Sequence, residues 1–322
     1  YYMQNIIITG ITGQDGIFIT SEILKQKKDA TIYGITRQKN HSNFFKRLES
    51  IGCTNVKNIN LLNIDLKNEE EVFNLLTDKR PNYIINLSGP SSVYESLNNP
   101  EIKESIQIIF NNLTSSLIKT KNFPKFFQAS SSEMYGKSEN KDLNENSPFN
   151  PNSPYAQAKL FNHKKVLELS QKYNWKIYSG IMFNHESQFR DDNYLFMKVI
   201  KTAEKIKDGK ANKLTIGSLN YERDWSYSLD VAKAILFILN NGIEPDYVIG
   251  SGKSHKIEEL IDIVFDYFGL EKNSVLEIDN SILRKNDIIK IKSNPSKILN
   301  QVGWKAEVGF EELVKICIEL KD

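Results

Sequence analysis

Hydrophobic residues recur along this chain as short apolar runs separated by longer stretches with a helical period. Asn5 to Thr9 is almost wholly apolar and reads as a strand buried on both faces. A glycine-spaced turn follows, then a helical pattern through about Lys27. Thr31 to Thr36 predicts a second strand, a third ends near Asn63-Ile-Asp65-Leu66, and Tyr83 to Leu87 predicts a fourth. A helix is expected over 101–119, with strands at Phe126 to Ser130 and Trp175 to Phe183. Strands alternating with helices imply an α/β fold with a doubly wound parallel sheet, whose ligands bind at the strands' carboxyl ends. Beyond Phe183 the elements become shorter and mixed, apart from a helix from about Leu229 to Leu239.

The first strand-to-helix turn reads Gly10-Ile-Thr12-Gly13-Gln14-Asp15-Gly16. Glycines at this spacing let the backbone turn tightly and approach a pyrophosphate held at the helix N-terminus. A lone glycine pattern is weak; the strand before it and the helix after it give it weight. The fold is therefore expected to be of the Rossmann type. The second strand ends in Thr36-Arg37, where NAD-binding folds usually place an acid for the ribose 2′-hydroxyl. An arginine there attracts a 2′-phosphate instead, so NADP is the expected cofactor. Asp65 and Leu66 fall where the adenine-side loop should be, and Leu87 with the small-residue loop Ser88 to Ser92 falls at the nicotinamide end. The domains expected are 1–183 with a returning segment 220–245 for the cofactor, and a smaller substrate-binding domain from 184–219 and 246–322.

Candidate chemistry concentrates between Phe126 and Lys159. Residues two apart on an extended backbone point the same way, so Ser131 and Glu133 face one pocket at a strand's carboxyl end. Tyr155 and Lys159 are four apart at the start of a helix opened by Pro154, so they share a face. A cation one turn away favours the phenolate of a tyrosine, which can then take a proton from a sugar hydroxyl. Glu133 adds a second base, which simple dehydrogenases do not need. Taken singly these are ordinary features: Tyr-x-x-x-Lys arises on any amphipathic helix, and a loop glutamate is usually solvated. Their order behind a glycine-rich turn carries the reading. In the later segments Arg190, Lys198, Arg223 and Arg284 are candidate cations for a nucleotide diphosphate, although any one of them alone reads as a surface charge.

Composition narrows the class. A formal net charge of +2 gives no reason to expect nucleic acid or a membrane surface as the main partner. Cys53 and Cys317 lie far apart without metal spacing and read as reduced thiols of a cytoplasmic protein; no metal is expected. No secretory leader or membrane-length apolar run is visible, and Met3 reads as the native start behind Tyr1 and Tyr2.

The segments IITGITGQDG, YGITR followed by HSNF, FFQASSSEMYGK, PFNPNSPYAQAKL, GIMFNHES, ERDWSYSLD and VGWKAEVGFEELV run over nearly the whole chain. In this order they resemble the extended short-chain dehydrogenase/reductase family and, within it, its GDP-mannose 4,6-dehydratase branch. The resemblance implies catalytic roles for Ser131, Glu133, Tyr155 and Lys159. It assigns Arg37, His185 and Arg190 to NADP, and Asn184, Lys198, Arg223 and Arg284 to a GDP-sugar. Ser91 is a further expected substrate contact. The branch usually has Gly-Ala-Gln-Ser-His-Val where this chain has Ser88-Gly-Pro-Ser-Ser-Val93, and Pro-Arg where it has Gln188-Phe189. Ser92 in place of a bulkier histidine makes room at C2, so GDP-N-acetylglucosamine stands beside GDP-mannose as substrate. The expected reaction is redox-neutral loss of water to a 4-keto-6-deoxy sugar nucleotide. The rivals are a 4-epimerase or reductase on the same fold, and a non-catalytic NADP-binding sensor or scaffold. The resemblance also implies a homodimer or homotetramer.

Overall fold

Runs of isoleucine and phenylalanine, too apolar for a half-solvated sheet, set the layering. The computed structural model describes residues 4–90, 93–99, 101–138, 142–283 and 288–320. Its first six strands are β1 (Asn5–Thr9), β2 (Thr31–Ile35), β3 (Ile59–Leu62), β4 (Tyr83–Asn86), β5 (Lys125–Ser131) and β6 (Ile177–Met182). With the strand Asp246–Ile249 they form one seven-stranded sheet, ordered β3, β2, β1, β4, β5, β6 and then Asp246–Ile249. All neighbours run parallel. The winding direction reverses between β1 and β4, which opens a crevice at their carboxyl ends. The expected fold class is the one observed. The segment returning to the sheet reaches Ile249, past the expected boundary at 245, because Asp246–Ile249 finds its backbone partners on β6.

Helices cover both faces. On one side Ile6 and Ile8 pack with α1 (Gln14–Gln26), α2 (Ser42–Ser50) and, further along the chain, the helix Ser228–Asn241. Ile7, Ile84 and Phe126 point the other way, under α3 (Glu69–Lys79) and, beyond α4 (Val93–Asn98), under α5 (Glu101–Lys119) and α6 (Pro154–Tyr173). Alternate side chains therefore bury on opposite faces, each full burial worth about 1.5–3 kcal/mol. The smaller lobe contains α7 (Leu195–Lys207), helices Ile257–Phe268 and Phe310–Glu319, and three two-stranded pairings. Its core, including Phe196, Leu260 and Leu313, is continuous with the Ile6–Ile8 face of the sheet. Among the described residues no helix is long and apolar enough to cross a membrane.

Candidate active site

Backbone geometry makes the cradle at the crevice. Gly10 has φ +69°, and its N–H donates to Ile35 O at 3.1 Å. A Cβ there would stand 3.2 Å from the carbonyl of Leu87, so glycine lets the turn after β1 lie against the end of β4. At Gly16 a Cβ would come within 2.2 Å of Ile11 O, which would push α1 off the turn that precedes it. Gly13, at the N-cap of α1, has open space above it save for Gly10 O at 3.4 Å. The first residues of α1 thus line a cleft of about 910 Å³. That is the arrangement a dinucleotide pyrophosphate needs, so the residues present fit the cofactor the sequence implies.

The cleft is lined where the sequence places its cofactor contacts. Gly10, Thr12, Gly13, Gln14, Asp15 and Gly16 form one wall. Arg37 stands at the end of β2, Asp65 and Leu66 beyond β3, and Leu87 after β4; Arg190 closes the side nearer the small lobe. Arg37 is exposed and, among the described residues, without an ion-pair partner. Arg190 lies over the Tyr194 ring at 3.5 Å and faces Glu186 at 3.4 Å.

His185 is not on the cleft wall. Its Nδ1 is 2.8 Å from Phe183 O, and its Nε2 is 3.0 Å from Asp15 Oδ2. Both partners are acceptors, so both ring nitrogens carry protons and the ring is an imidazolium. Burial pushes this histidine down, but Asp15 outweighs burial and holds it above its ordinary value. Asp15 in turn is pushed up by burial yet held low by His185 and Arg190. His185 therefore reaches the cofactor cradle through Asp15, neutralising a carboxylate that would otherwise repel phosphate. Gln14 ties the same turn to this segment: its Nε2 donates to His185 O at 3.0 Å and its Oε1 accepts from Ser187 at 2.8 Å.

The four expected catalytic groups meet at the ends of β5 and α6. Ser131 closes β5 and caps a single 3₁₀ turn, Ser132–Tyr135, accepting from Glu133 N at 3.2 Å. That turn holds Glu133, half-buried, close enough to Tyr155 for the phenol to feel its charge. Ser153 caps α6 by accepting from Ala156 N at 3.1 Å, with Pro154 at the first helical position. Tyr155 is further fixed by its N–H, which donates to Ser96 Oγ at 3.3 Å. Lys159, one turn on, donates to Ala129 O at 2.9 Å and stands 5.6 Å from the Tyr155 ring centre. Burial pushes the Tyr155 phenol well above its usual range, with the Ser131 hydroxyl beside it pulling the other way. Burial pushes Lys159 down to about 8. Desolvation is the largest influence on the phenol and favours its protonated form, the opposite direction from the one a neighbouring ammonium gives.

The expected substrate contacts divide. Asn184 lies in the strand Asn184–Glu186, beside Trp225–Tyr227. Lys198, exposed on α7, reaches Thr215 O at 3.4 Å. Arg223 donates to Ile288 O at 2.7 Å, next to the segment that carries Arg284. Ser91, Ser92 and Arg284 lie outside the described residues. Three residues not singled out from sequence join the site: Ser96, Glu186 and Tyr194. Of these, Glu186 and Tyr194, four residues before and four after Arg190, carried a visible spacing signal.

Known proteins share this chain's sequence and fold. Residues 7–317 match the family described as GDP-mannose 4,6 dehydratase. The chain is 31% identical over 323 residues to GDP-mannose 4,6 dehydratase 1 of Arabidopsis thaliana, covering 97% of this chain and 88% of that protein. It is 29% identical over 332 residues to GDP-mannose 4,6 dehydratase of Homo sapiens, covering 96% and 89%. Among solved structures, a dTDP-glucose 4,6-dehydratase from Bacillus anthracis in complex with NAD superposes with a TM-score of 0.83 at 19% identity, covering 98% of this chain and 96% of that one. RMD from Pseudomonas aeruginosa complexed with NADPH gives 0.79 at 21% identity, covering 99% and 97%. At these identities the two structures speak for the fold.

Proposed function

The chain belongs to the GDP-mannose 4,6 dehydratase family, and from that premise we propose that it is an NADP-dependent GDP-sugar 4,6-dehydratase, yielding a GDP-4-keto-6-deoxy sugar. The observation that carries the reading is Glu133, a half-buried carboxylate in the turn that Ser131 caps, near enough to the Tyr155 phenol to act on it electrostatically. A 4-epimerase or a reductase moves protons and hydride at C4 alone and has no use for this second base. A scaffold needs none of the four groups.

The turn from Gly10 to Gly16 would hold the cofactor's pyrophosphate, Asp65 and Leu66 its adenine side, and Arg37 a 2′-phosphate. A bound nicotinamide supplies a hydride acceptor at C4 and the same hydride, returned, at C6. Ser131 hydrogen-bonds the C4 hydroxyl while Tyr155 takes its proton. The ammonium of Lys159 and the positive ring of the oxidised cofactor supply the charge that the buried phenol lacks by itself. The C4 ketone acidifies the C5 proton, which Glu133 removes. Glu133 then hands that proton to the departing C6 hydroxyl, so water leaves and the carboxylate is restored. Tyr155 returns its proton to C5, and no net oxidant is consumed. Cytoplasmic localisation and a homodimer or homotetramer complete the proposal.

Two measurements test it. Product mass should fall by one water with a GDP-sugar, and the Glu133→Gln variant should lose this by at least ~10²-fold while binding cofactor normally. A variant with undiminished water loss removes the assigned base. GDP-mannose and GDP-N-acetylglucosamine assayed side by side decide the group at C2. Paired titrations should show NADP binding at least ~10-fold tighter than NAD, with the preference lost in Arg37→Ala, since a charged hydrogen bond contributes about 1.5–3 kcal/mol. Equal affinities in the unmodified protein end the NADP assignment.

A further inference from the structure

A line of buried side-chain amides crosses the centre of the sheet and ends at the active-site lysine. Thr9 Oγ1 donates to Asn86 Oδ1 at 2.6 Å and accepts the N–H groups of Leu87 and Ser88, both at 3.2 Å. Asn86 Nδ2 donates to Gln128 Oε1 at 2.7 Å, and Gln128 Nε2 donates to Ala129 O at 3.0 Å. Ala129 O is also the acceptor for Lys159 Nζ, at 2.9 Å, and the only hydrogen-bond partner that lysine has among the described residues. Thr9, Asn86 and Gln128 are at most 1% exposed.

The direction of each amide is forced. If Gln128 were flipped, its oxygen would face Ala129 O and its nitrogen would face the nitrogen of Asn86. If both were flipped, the Ser88 N–H would face an NH₂ group in place of the Asn86 oxygen. One end of the line bonds the backbone of Leu87 and Ser88, which line the cofactor cleft; the other fixes the carbonyl that holds the lysine. A carbonyl has two lone pairs, and both are used here, one by Gln128 and one by Lys159.

We propose that Gln128 is a positioning residue for Lys159: by occupying one lone pair of Ala129 O it fixes the direction of the carbonyl and leaves a single site for the ammonium. Core glutamine at this place is otherwise hard to account for, since an apolar side chain would pack in a β5 already flanked by Phe126 and Phe127. The proposal rests on the dehydratase reading for its consequence in turnover, but not for its geometry.

The test separates the two. Protein labelled with ¹³C-lysine is titrated by NMR, the Lys159 resonance being the one missing in Lys159→Met. In Gln128→Met the carbonyl is left to the ammonium alone, or the amine escapes burial; either raises the lysine's titration midpoint, by an expected half pH unit or more. The variant should also lose ~10-fold in kcat, with KM for the GDP-sugar changed less than ~2-fold and the pH–rate limb displaced in the same direction. If Gln128→Met does not fold, Gln128→Glu keeps the bond from Asn86 and the shape. It should raise the midpoint too, with turnover recovering at pH low enough to protonate the new carboxyl and restore a donor to Ala129 O. An unmoved or lowered midpoint overturns the proposal whatever the substrate proves to be. An upward shift in a protein that dehydrates no GDP-sugar would uphold it and sink the functional reading instead.

Discussion

Lys159 carries opposite obligations to stability and to chemistry. Its ordinary value is 10.5 and burial brings it to about 8, so the unfolded chain binds its proton more tightly than the folded one does. Where the folded pKa lies below the unfolded one for a base, the folded state is penalised at all pH values below the folded pKa. That penalty fades as pH rises from about 8 to about 10.5. The difference of roughly 2.5, at about 1.4 kcal/mol each, is a penalty of about 3 kcal/mol at neutral pH. The hydrogen bond to Ala129 O returns about 1 kcal/mol of it. Lys159→Met should therefore stabilise the cofactor-free protein by about 1–2 kcal/mol at pH 7, while turnover collapses. Urea unfolding at pH 7 and at pH 10 checks this, because the advantage should shrink at the higher pH. A variant less stable than the unmodified protein at pH 7 refutes the argument.

At the scale of elements, what was legible in the sequence is what depends on neighbours along the chain. The isoleucine run of β1, the glycine spacing before α1 and the Ser153-Pro154 start of α6 announce themselves because strand burial, tight turns and helix caps are local. Tyr155 and Lys159 share a face for the same reason, and Glu133 follows Ser131 by the two residues that one short turn needs. The rest hangs on partners far away in sequence. Asp246–Ile249 is four residues long, and only its pairing with β6 makes it the sheet's edge rather than part of the small lobe. His185 was assigned to the cofactor by resemblance, yet its ring is taken by Asp15, 170 residues earlier. Thr9, Asn86 and Gln128 look like polar interruptions in three unrelated strands; their register in the sheet turns them into one line. The balance of burial against charge at Tyr155 could not be read from spacing, because spacing does not report how much water the site keeps.

Across the whole molecule, one carboxylate joins the sheet to the lobe that carries the proposed substrate contacts. Asp224 is fully buried, follows Arg223, and among the described residues has no cation beside it. Its Oδ1 accepts from the N–H and the hydroxyl of Ser251; its Oδ2 accepts from Gly252 N and from the N–H and hydroxyl of Ser293. Three segments meet there: the strand bearing Arg223, the turn leaving the sheet's seventh strand, and the stretch that runs on from Ile288 to Ser293. Hydroxyls can rotate to donate or accept, whereas backbone N–H groups cannot. An asparagine would thus turn its NH₂ toward the Oδ1 side, where it opposes one backbone N–H rather than two. Asp224→Asn should then lose about 1–3 kcal/mol, and Asp224→Ala, which strands the N–H groups of Ser251 and Ser293 and leaves Gly252 N only Ser293 Oγ, roughly twice as much. Because the cofactor cleft is built from the other end of the sheet, NADP affinity should stay within ~2-fold while KM for the GDP-sugar rises several-fold. Urea midpoints, cofactor titration and steady-state kinetics on the two variants check the three parts together. If both midpoints stay where they are, Asp224 does not join these segments, and the placement of Arg223 has to come from its bond to Ile288 alone.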